Sequence, residues 1–395
     1  MPGDVPGGLP WIARRPGDPR VTRTRVAAVL ALALGVAACG GDGGGSAPAP
    51  HAGVTYGATR VAASDPAIDL SVVGPMAVGS DGTLYLADAQ DRVVVLNAAG
   101  ELLRVIGRGG EGPGEFSYIN DVRVLPGDSL LVLDPMQDRI SVFRPNSAVL
   151  AHTRPLRQEL GEFVVQASPV ADGSLLTHAM RAHGPGVDAA NRNDVLRSLA
   201  RDETSRPILT LSPNEVLQLN SAGVMGFFSP GFAPRRIVRL AAGRAYTAWT
   251  DSASVKVFDA GGRQVAAITP RALPPRQPIT AREYDSVAAG FGDAAIAKRA
   301  LSLVQARWRT WPLIDDLLVD DGGGVWIKPG HRQGKNRWLH HDAAGAFVGS
   351  LELPANVRPR LISRDRVYCV VKDDLDVPQV VVYTLHPAPA RTAAG

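Results

Sequence analysis

The strongest constraint on what this chain can fold into is a pattern that occurs twice, 46 to 47 residues apart. In the first copy, residues 74–116, short runs of alternating or β-branched residues at 76–78, 83–87, 92–96 and 102–106 are punctuated by Ser80-Asp81-Gly82 and Ala98-Ala99-Gly100. A period of two marks strands, and glycine-bearing turns between them mark antiparallel pairing. In the second copy, Leu130-Leu131-Val132-Leu133-Asp134 repeats Leu84-Tyr85-Leu86-Ala87-Asp88, and Asp138-Arg139 repeats Asp91-Arg92 ahead of the next alternating run. A single four-stranded meander cannot bury both of its faces. It is stable only if further copies stack against it.

Four-stranded units of about 40 to 50 residues that stack on one another are the sequence mark of a β-propeller. Later copies are degenerate but locatable. Blade three falls at 162–211, with a polar insertion at 181–194; blade four has strands at 245–249 and 255–258. Blade five runs from Leu317 to Phe347, and blade six has runs at 360–362, 366–371 and 379–385. Blade six lacks an outermost strand, and residues 54–63 are free to supply it, which closes the ring and removes two exposed edges. One segment breaks the period. After the proline-rich 270–278, Thr280 and Glu283 have capping-box spacing, and Ile296, Ala300, Leu303, Val304 and Trp308 continue one apolar face opposite Lys298, Arg299 and Arg307. The expected fold is all-β: a six-bladed β-propeller over 54–387 with a helical insertion, 279–311, between blades four and five. Seven blades is the competing count. The insertion packs on the rim, or else serves as a lid or docking surface.

The strand-ending aspartate and the Asp-Arg before an alternating strand resemble the NHL repeat, and 107–116 (GRGGEGPGEF) resembles its glycine-rich connector between blades. The resemblance covers about 80 residues and implies turn and inter-strand roles for these groups, not reactive ones. The leader carries a second resemblance. Basic residues at 20–25 precede an apolar run of 11 residues, 26–36, too short for a permanent span of about 20. The run ends Val36-Ala37-Ala38-Cys39-Gly40, which is similar to the bacterial lipobox. This implies cleavage of 1–38 as a lipoprotein signal peptide and acylation of Cys39, which anchors the chain to a membrane. Residues 39–53 then read as a flexible Gly/Pro tether and 388–395 as a disordered tail. The expected location is the bacterial cell envelope with the propeller outside the cytoplasm. The absence of Asp after Cys39 favours the outer membrane over the inner.

The formal charge of +4 belongs largely to the leader, because removing 1–38 leaves 37 basic and 36 acidic residues. That balance argues against nucleic acid as a partner. With only Cys39 and Cys369 there is no disulfide framework. Gly107, Gly109 and Gly112 satisfy G-x-G-x-x-G, but Pro113-Gly114 follows where a dinucleotide site needs a helix. His340 and His341 are adjacent on a strand, so they point to opposite faces and are poorly placed to share an ion.

No catalytic constellation is found, and neither a metal site nor a cofactor is expected. Propeller ligands enter at the channel mouth, near Asn120-Asp121, Gln166, Arg235-Arg236, Asp315-Asp316 and Arg358 or Arg360. The candidate ligand-binding residues are Asn120, Asp121, Arg236, Asp315 and Arg360. A ring mixing arginines with carboxylates binds an anionic or zwitterionic small molecule, or else is a solvated ring of salt bridges. The function expected is a monomeric, non-catalytic binding scaffold for a protein, peptide or glycan. The alternative is a metal-dependent enzyme of the lactonase or lyase type, with calcium at the channel mouth. Replacing the lipobox cysteine, Cys39→Ser, is expected to abolish incorporation of a labelled fatty acid and move the protein from the membrane to the soluble fraction. A labelled, membrane-bound variant overturns the assignment.

Overall fold

The computed structural model describes residues 54–64, 68, 70, 72–181, 193–221, 224–330 and 336–387. The expected signal peptide, tether and tail, and most of the blade-three insertion, lie outside the described residues. The described residues open with β1 (Val54–Ala63) and then build blade one from β2 (Val73–Val78), β3 (Leu84–Asp88), β4 (Arg92–Leu96) and β5 (Leu102–Ile106). Blade two is β6 (Asp121–Val124), β7 (Leu130–Asp134), β8 (Arg139–Phe143) and β9 (Leu150–Pro155). Blade three is β10 (Glu162–Pro169), β11 (Leu175–Arg181), β12 (Asp194–Leu199) and β13 (Ser205–Leu211). A separate hairpin, β14 (Leu217–Ser221) and β15 (Val224–Phe228), precedes blade four, which is β16 (Arg236–Ala241), β17 (Arg244–Trp249), β18 (Val255–Phe258) and β19 (Gln264–Ile268). Helices α1 (Ala281–Ala288) and α2 (Ala294–Arg307) follow. Blade five is β20 (Ile314–Val319), β21 (Val325–Pro329), β22 (Asn336–His341) and β23 (Phe347–Leu353). Blade six is β24 (Arg358–Ser363), β25 (Arg366–Lys372), β26 (Pro378–Pro387) and, from the other end of the described chain, β1.

The alternation that marks each strand also decides which neighbour its side chains meet. On β3, Tyr85 and Ala87 pack with Val122, Leu130 and Val132 of blade two, while Leu84 and Leu86 pack with Tyr368, Val370 and Val380 of blade six. On β7, Leu131 and Leu133 turn the other way, onto Val164, Ala167 and Leu175 of blade three. Equivalent clusters join blades three to four, four to five and five to six. Each blade is thus half of two hydrophobic cores, which is why its second strand is apolar on both faces.

The repeated polar residues serve this architecture. Asp88 pairs with Arg92 at 3.0 Å. Asp134, fully buried, accepts from the amide of Ser117 at 2.8 Å. Arg139 holds the glycine-rich connector by donating to the carbonyls of Glu111 (3.1 Å), Gly112 (2.8 Å) and Glu115. The remaining cysteine, Cys369, is a free thiol inside β25, and burial pushes its pKa up.

Closure is made by β1. It runs antiparallel to β26 from Tyr56↔Pro387 to Ala63↔Val381 and parallel to β23 over Val54↔Gly349 to Tyr56↔Leu351, so blades five and six share one eight-stranded sheet. Two glycines make room for it. A Cβ on Gly349 would lie 1.9 Å from the Val54 carbonyl oxygen, and one on Gly100 would lie 2.0 Å from that of Ala63. A polar cluster fastens the strand laterally. The Tyr56 hydroxyl hydrogen-bonds His340 Nδ1 at 2.9 Å, His340 stacks on Trp326 at 4.1 Å, and Asp320 accepts from Trp326 Nε1 at 2.9 Å. His341 faces the other way and accepts from the Arg271 amide at 3.0 Å.

The period-breaking segment is two helices, interrupted at Gly290 and Gly292. Thr280 and Glu283 form the capping box of α1, and Asp293 caps α2 through the Ile296 amide at 2.8 Å. Ala300, Val304 and Trp308 are buried, but Leu303 is 36% exposed, so the apolar stripe is narrower than the spacing predicts. Its partner is the hairpin side: Leu217, Phe232, Ile279, Val304 and Trp308 share a core of their own, and Glu215 accepts from both Arg307 Nε and Trp308 Nε1 at 3.0 Å. Gly349→Ala drives a methyl into the β1 backbone and is expected to cost about 1–3 kcal/mol in urea unfolding. Gly231→Ala, where an added Cβ meets nothing within 4 Å, is the control expected to be near neutral.

Candidate functional site

The innermost strand of each blade is a sheet edge, paired on one side only, so its outer row of backbone N–H and C=O groups needs partners from elsewhere. Here the preceding blade supplies them. Asn120 Nδ2 donates to the Val165 carbonyl at 2.7 Å, and Asp121 Oδ2 accepts from the Ala167 amide at 3.0 Å. Gln166 does both jobs for blade four, donating to the Val238 carbonyl at 3.0 Å and accepting from the Leu240 amide at 3.0 Å. Arg239 then donates through Nε to the Leu317 carbonyl at 2.8 Å and through Nη2 to Asp316 at 2.7 Å. Side chains on the inner strands therefore clasp blade two to three, three to four and four to five.

These strands, β2, β6, β10, β16, β20 and β24, surround a central cavity of about 380 Å³. Its charged lining is Arg123, Arg239 and Arg360 against Asp121 and Asp316. Arg123 Nε is 2.9 Å from Asp121. Arg360 lies at a bulge between Pro359 and Leu361 of blade six, and on blade one the same cavity is lined by Gly74 and Pro75, which carry no polar side chain. Among the described residues none gives Arg360 a hydrogen bond or an ion pair. Arg360 is exposed and lines the cavity. Partial desolvation lowers its pKa, opposed by Asp316 and reinforced by Arg358 and Arg239.

Of the residues expected at the channel mouth, Asn120, Asp121 and Arg360 line the cavity, with Gln166 and Asp316, and Arg236 and Asp315 do not. Arg236 sits where β16 enters the sheet; its guanidinium lies 5.6 Å from the Trp249 ring centre and its Nε donates to the Ser212 carbonyl. The strand reaches the channel three residues later, at Arg239. Asp315 is displaced by a bulge between Ile314 and Asp316 and pairs instead with Lys328 at 2.9 Å. Arg123 and Arg239 are the lining residues the expectation missed. Each had a signal, since a lone arginine between apolar residues of an inner strand has only the channel side in which to place its charge.

The donor set suits an anion. Three guanidinium groups face two carboxylates, and both carboxylates already accept from arginine. Among the described residues no three of His, Cys, Asp or Glu converge as metal ligands. Calcium, which needs six to eight oxygen ligands, does not fit this lining.

Asp121 is only 4% exposed, and burial raises its pKa despite Arg123 and the amides of Ala167 and Val122, which pull it down. A carboxyl whose folded pKa is raised carries no charge penalty below its unfolded pKa, about 3.9, and costs stability as pH rises through the folded value. The difference in unfolding free energy between the wild type and Asp121→Asn is therefore expected to shift in favour of the variant as pH rises above about 4. A pH-independent difference in urea midpoints overturns this.

A family model described as a 6-bladed beta-propeller, DUF5128, matches residues 78–160. No match was found among curated proteins. Among solved structures, an exported protein of Bacteroides fragilis is similar at 12% identity and a TM-score of 0.52, covering 85% of this chain and 96% of that one. A DUF4221 member of Bacteroides vulgatus is similar at 10% identity and a TM-score of 0.51, with 84% and 98% covered. A gluconolactonase of Xanthomonas campestris, at 13% identity, a TM-score of 0.45 and 84% and 98% covered, is too distant to carry chemistry across. The likeness to the two Bacteroides structures shows the fold alone, and the family model describes that fold as six-bladed.

Proposed function

We propose that this chain is an exported lipoprotein, anchored to the envelope through Cys39, whose propeller is a non-catalytic scaffold binding a protein, peptide or glycan at its central channel. Export and anchoring rest on the leader, with its basic residues, 11-residue apolar run and Ala-Ala-Cys-Gly ending. Among the described residues no helix is long and apolar enough to cross a membrane.

One observation carries the binding role. Four polar side chains of the channel, Asn120, Asp121, Gln166 and Arg239, are committed to backbone groups of the next blade and act as structural fasteners. A general acid, base or nucleophile has to be free to meet a substrate, and these are not. What they leave is a rigid, net cationic cavity of a size that holds a small ligand or the end of a larger one.

The test is photo-crosslinking in native membranes followed by purification and mapping of the crosslinks. Adducts on the inner strands, at positions such as Val165 and Leu318, are the expected outcome. Adducts confined to outer strands, or none above background, overturn the reading, as does turnover of a lactone panel by the purified protein.

A further inference from the structure

The clasps make the fold's own use of channel arginines visible, and Arg360 departs from it. Arg239 spends Nε, Nη1 and Nη2 on the Leu317 carbonyl, the Val238 carbonyl and Asp316. Arg123 pairs with Asp121. Arg360 has no such hydrogen-bond or ion-pair partner among the described residues; Asp316 attracts it, Arg358 and Arg239 repel it, and it lines the same cavity as Gly74 and Pro75. A cation on the channel wall with no hydrogen-bond partner leaves its fork of donors to water and adds nothing to the fastening of the fold. The same features make it a receptor. An incoming anion meets a planar fork of donors already stripped of part of its water, next to the one wall of the channel with no side chain to clasp.

We propose that Arg360 reads the carboxylate of a small organic monoanion seated between β24 and the Gly74-Pro75 wall of β2. This rests on the reading of the cavity as a binding site and narrows its ligand. Charge sets the valence: three arginines against two aspartates leave one positive charge to neutralise. Asp316 and Asp121 disfavour a second negative charge, which separates a carboxylate from phosphate or sulfate. A cavity of about 380 Å³ admits one amino-acid-sized or sugar-sized group.

The experiment uses the mature chain, with N-acetylalanine as monocarboxylate probe, its neutral amide and inorganic phosphate as comparisons, and guanidinium-detected NMR as readout. N-acetylalanine is expected to shift one arginine Nε–H resonance, absent in Arg360→Ala, with a dissociation constant of order 1 mM. Arg360→Ala is expected to weaken binding about tenfold or more, and Arg360→Lys, which keeps the charge but loses the fork, by an intermediate factor. The free variant is expected to melt at or above the wild-type Tm, because the fold loses an unpaired cation and no hydrogen bond. Four results overturn the proposal: equal binding of acid and amide, tighter binding of phosphate, unchanged binding by Arg360→Ala, or no binding of N-acetylalanine by the wild type. In each case inner-strand crosslinks to a native ligand leave the scaffold reading standing, and their absence removes both.

Discussion

The pairing of β1 with β26 is the interaction on which the rest of the molecule depends. Every blade is half of two apolar cores, so a ring of blades is stable only when the last interface is made as well as the first. Here that closing interface joins Leu84, Leu86 and Val94 to Tyr368, Val370 and Val380. The outer strand of blade six packs at the edge of this interface through Ala62, and the chain donates that strand from a segment more than 300 residues upstream of its partner. The added parallel contact between β1 and β23 ties blade five into the same sheet. Closure therefore does two jobs: it covers the edge of β26, which would otherwise invite another chain, and it holds the two ends of the array together.

Closure also fixes the channel. Six inner strands held at a common distance from an axis leave their free backbone edges facing one another across a narrow space, where water alone would have to satisfy them. The side chains of Asn120, Asp121, Gln166 and Arg239 do this work instead, each reaching forward to the next blade. The direction is consistent because every blade presents the same strand to the channel in the same sense. A polar channel in a propeller is thus first a structural device. Its residues are candidates for function only where the device is incomplete.

How much of this was legible follows from where local signals are strong. Blades one and two could be read because Leu84 to Asp88 and Leu130 to Asp134 are apolar on both faces and are followed by turn residues at matching offsets. The closing strand was legible by subtraction, since blade six was one strand short. The hairpin β14–β15 was not, because Leu217 to Ser221 is short and its support comes from Trp308 and Ile279, some 60 to 90 residues away. The channel residues were half legible. Counting from strand starts finds Asn120 and Arg360 but misplaces β16 by three residues and β20 by one, because the depth at which a strand enters the ring and a bulge beside Ile314 are tertiary facts.

Arg360 shows why such a site resists detection from sequence. Composition cannot distinguish it from Arg239, since both are arginines flanked by apolar residues on inner strands that carry a second arginine at their start. What separates them is the next blade: after Arg239 comes a strand with a carbonyl at Leu317 and a carboxylate at Asp316, and after Arg360 come Gly74 and Pro75. The difference lies nearly 300 residues away along the chain and one blade away in the ring. An arginine of the first kind fastens the fold, whereas one of the second kind keeps its donors available to a ligand, and real proteins depart from their own rules at functional sites. The clasping pattern therefore supplies its own contrast, and the position that breaks it is the one where a ligand completes what the protein leaves undone.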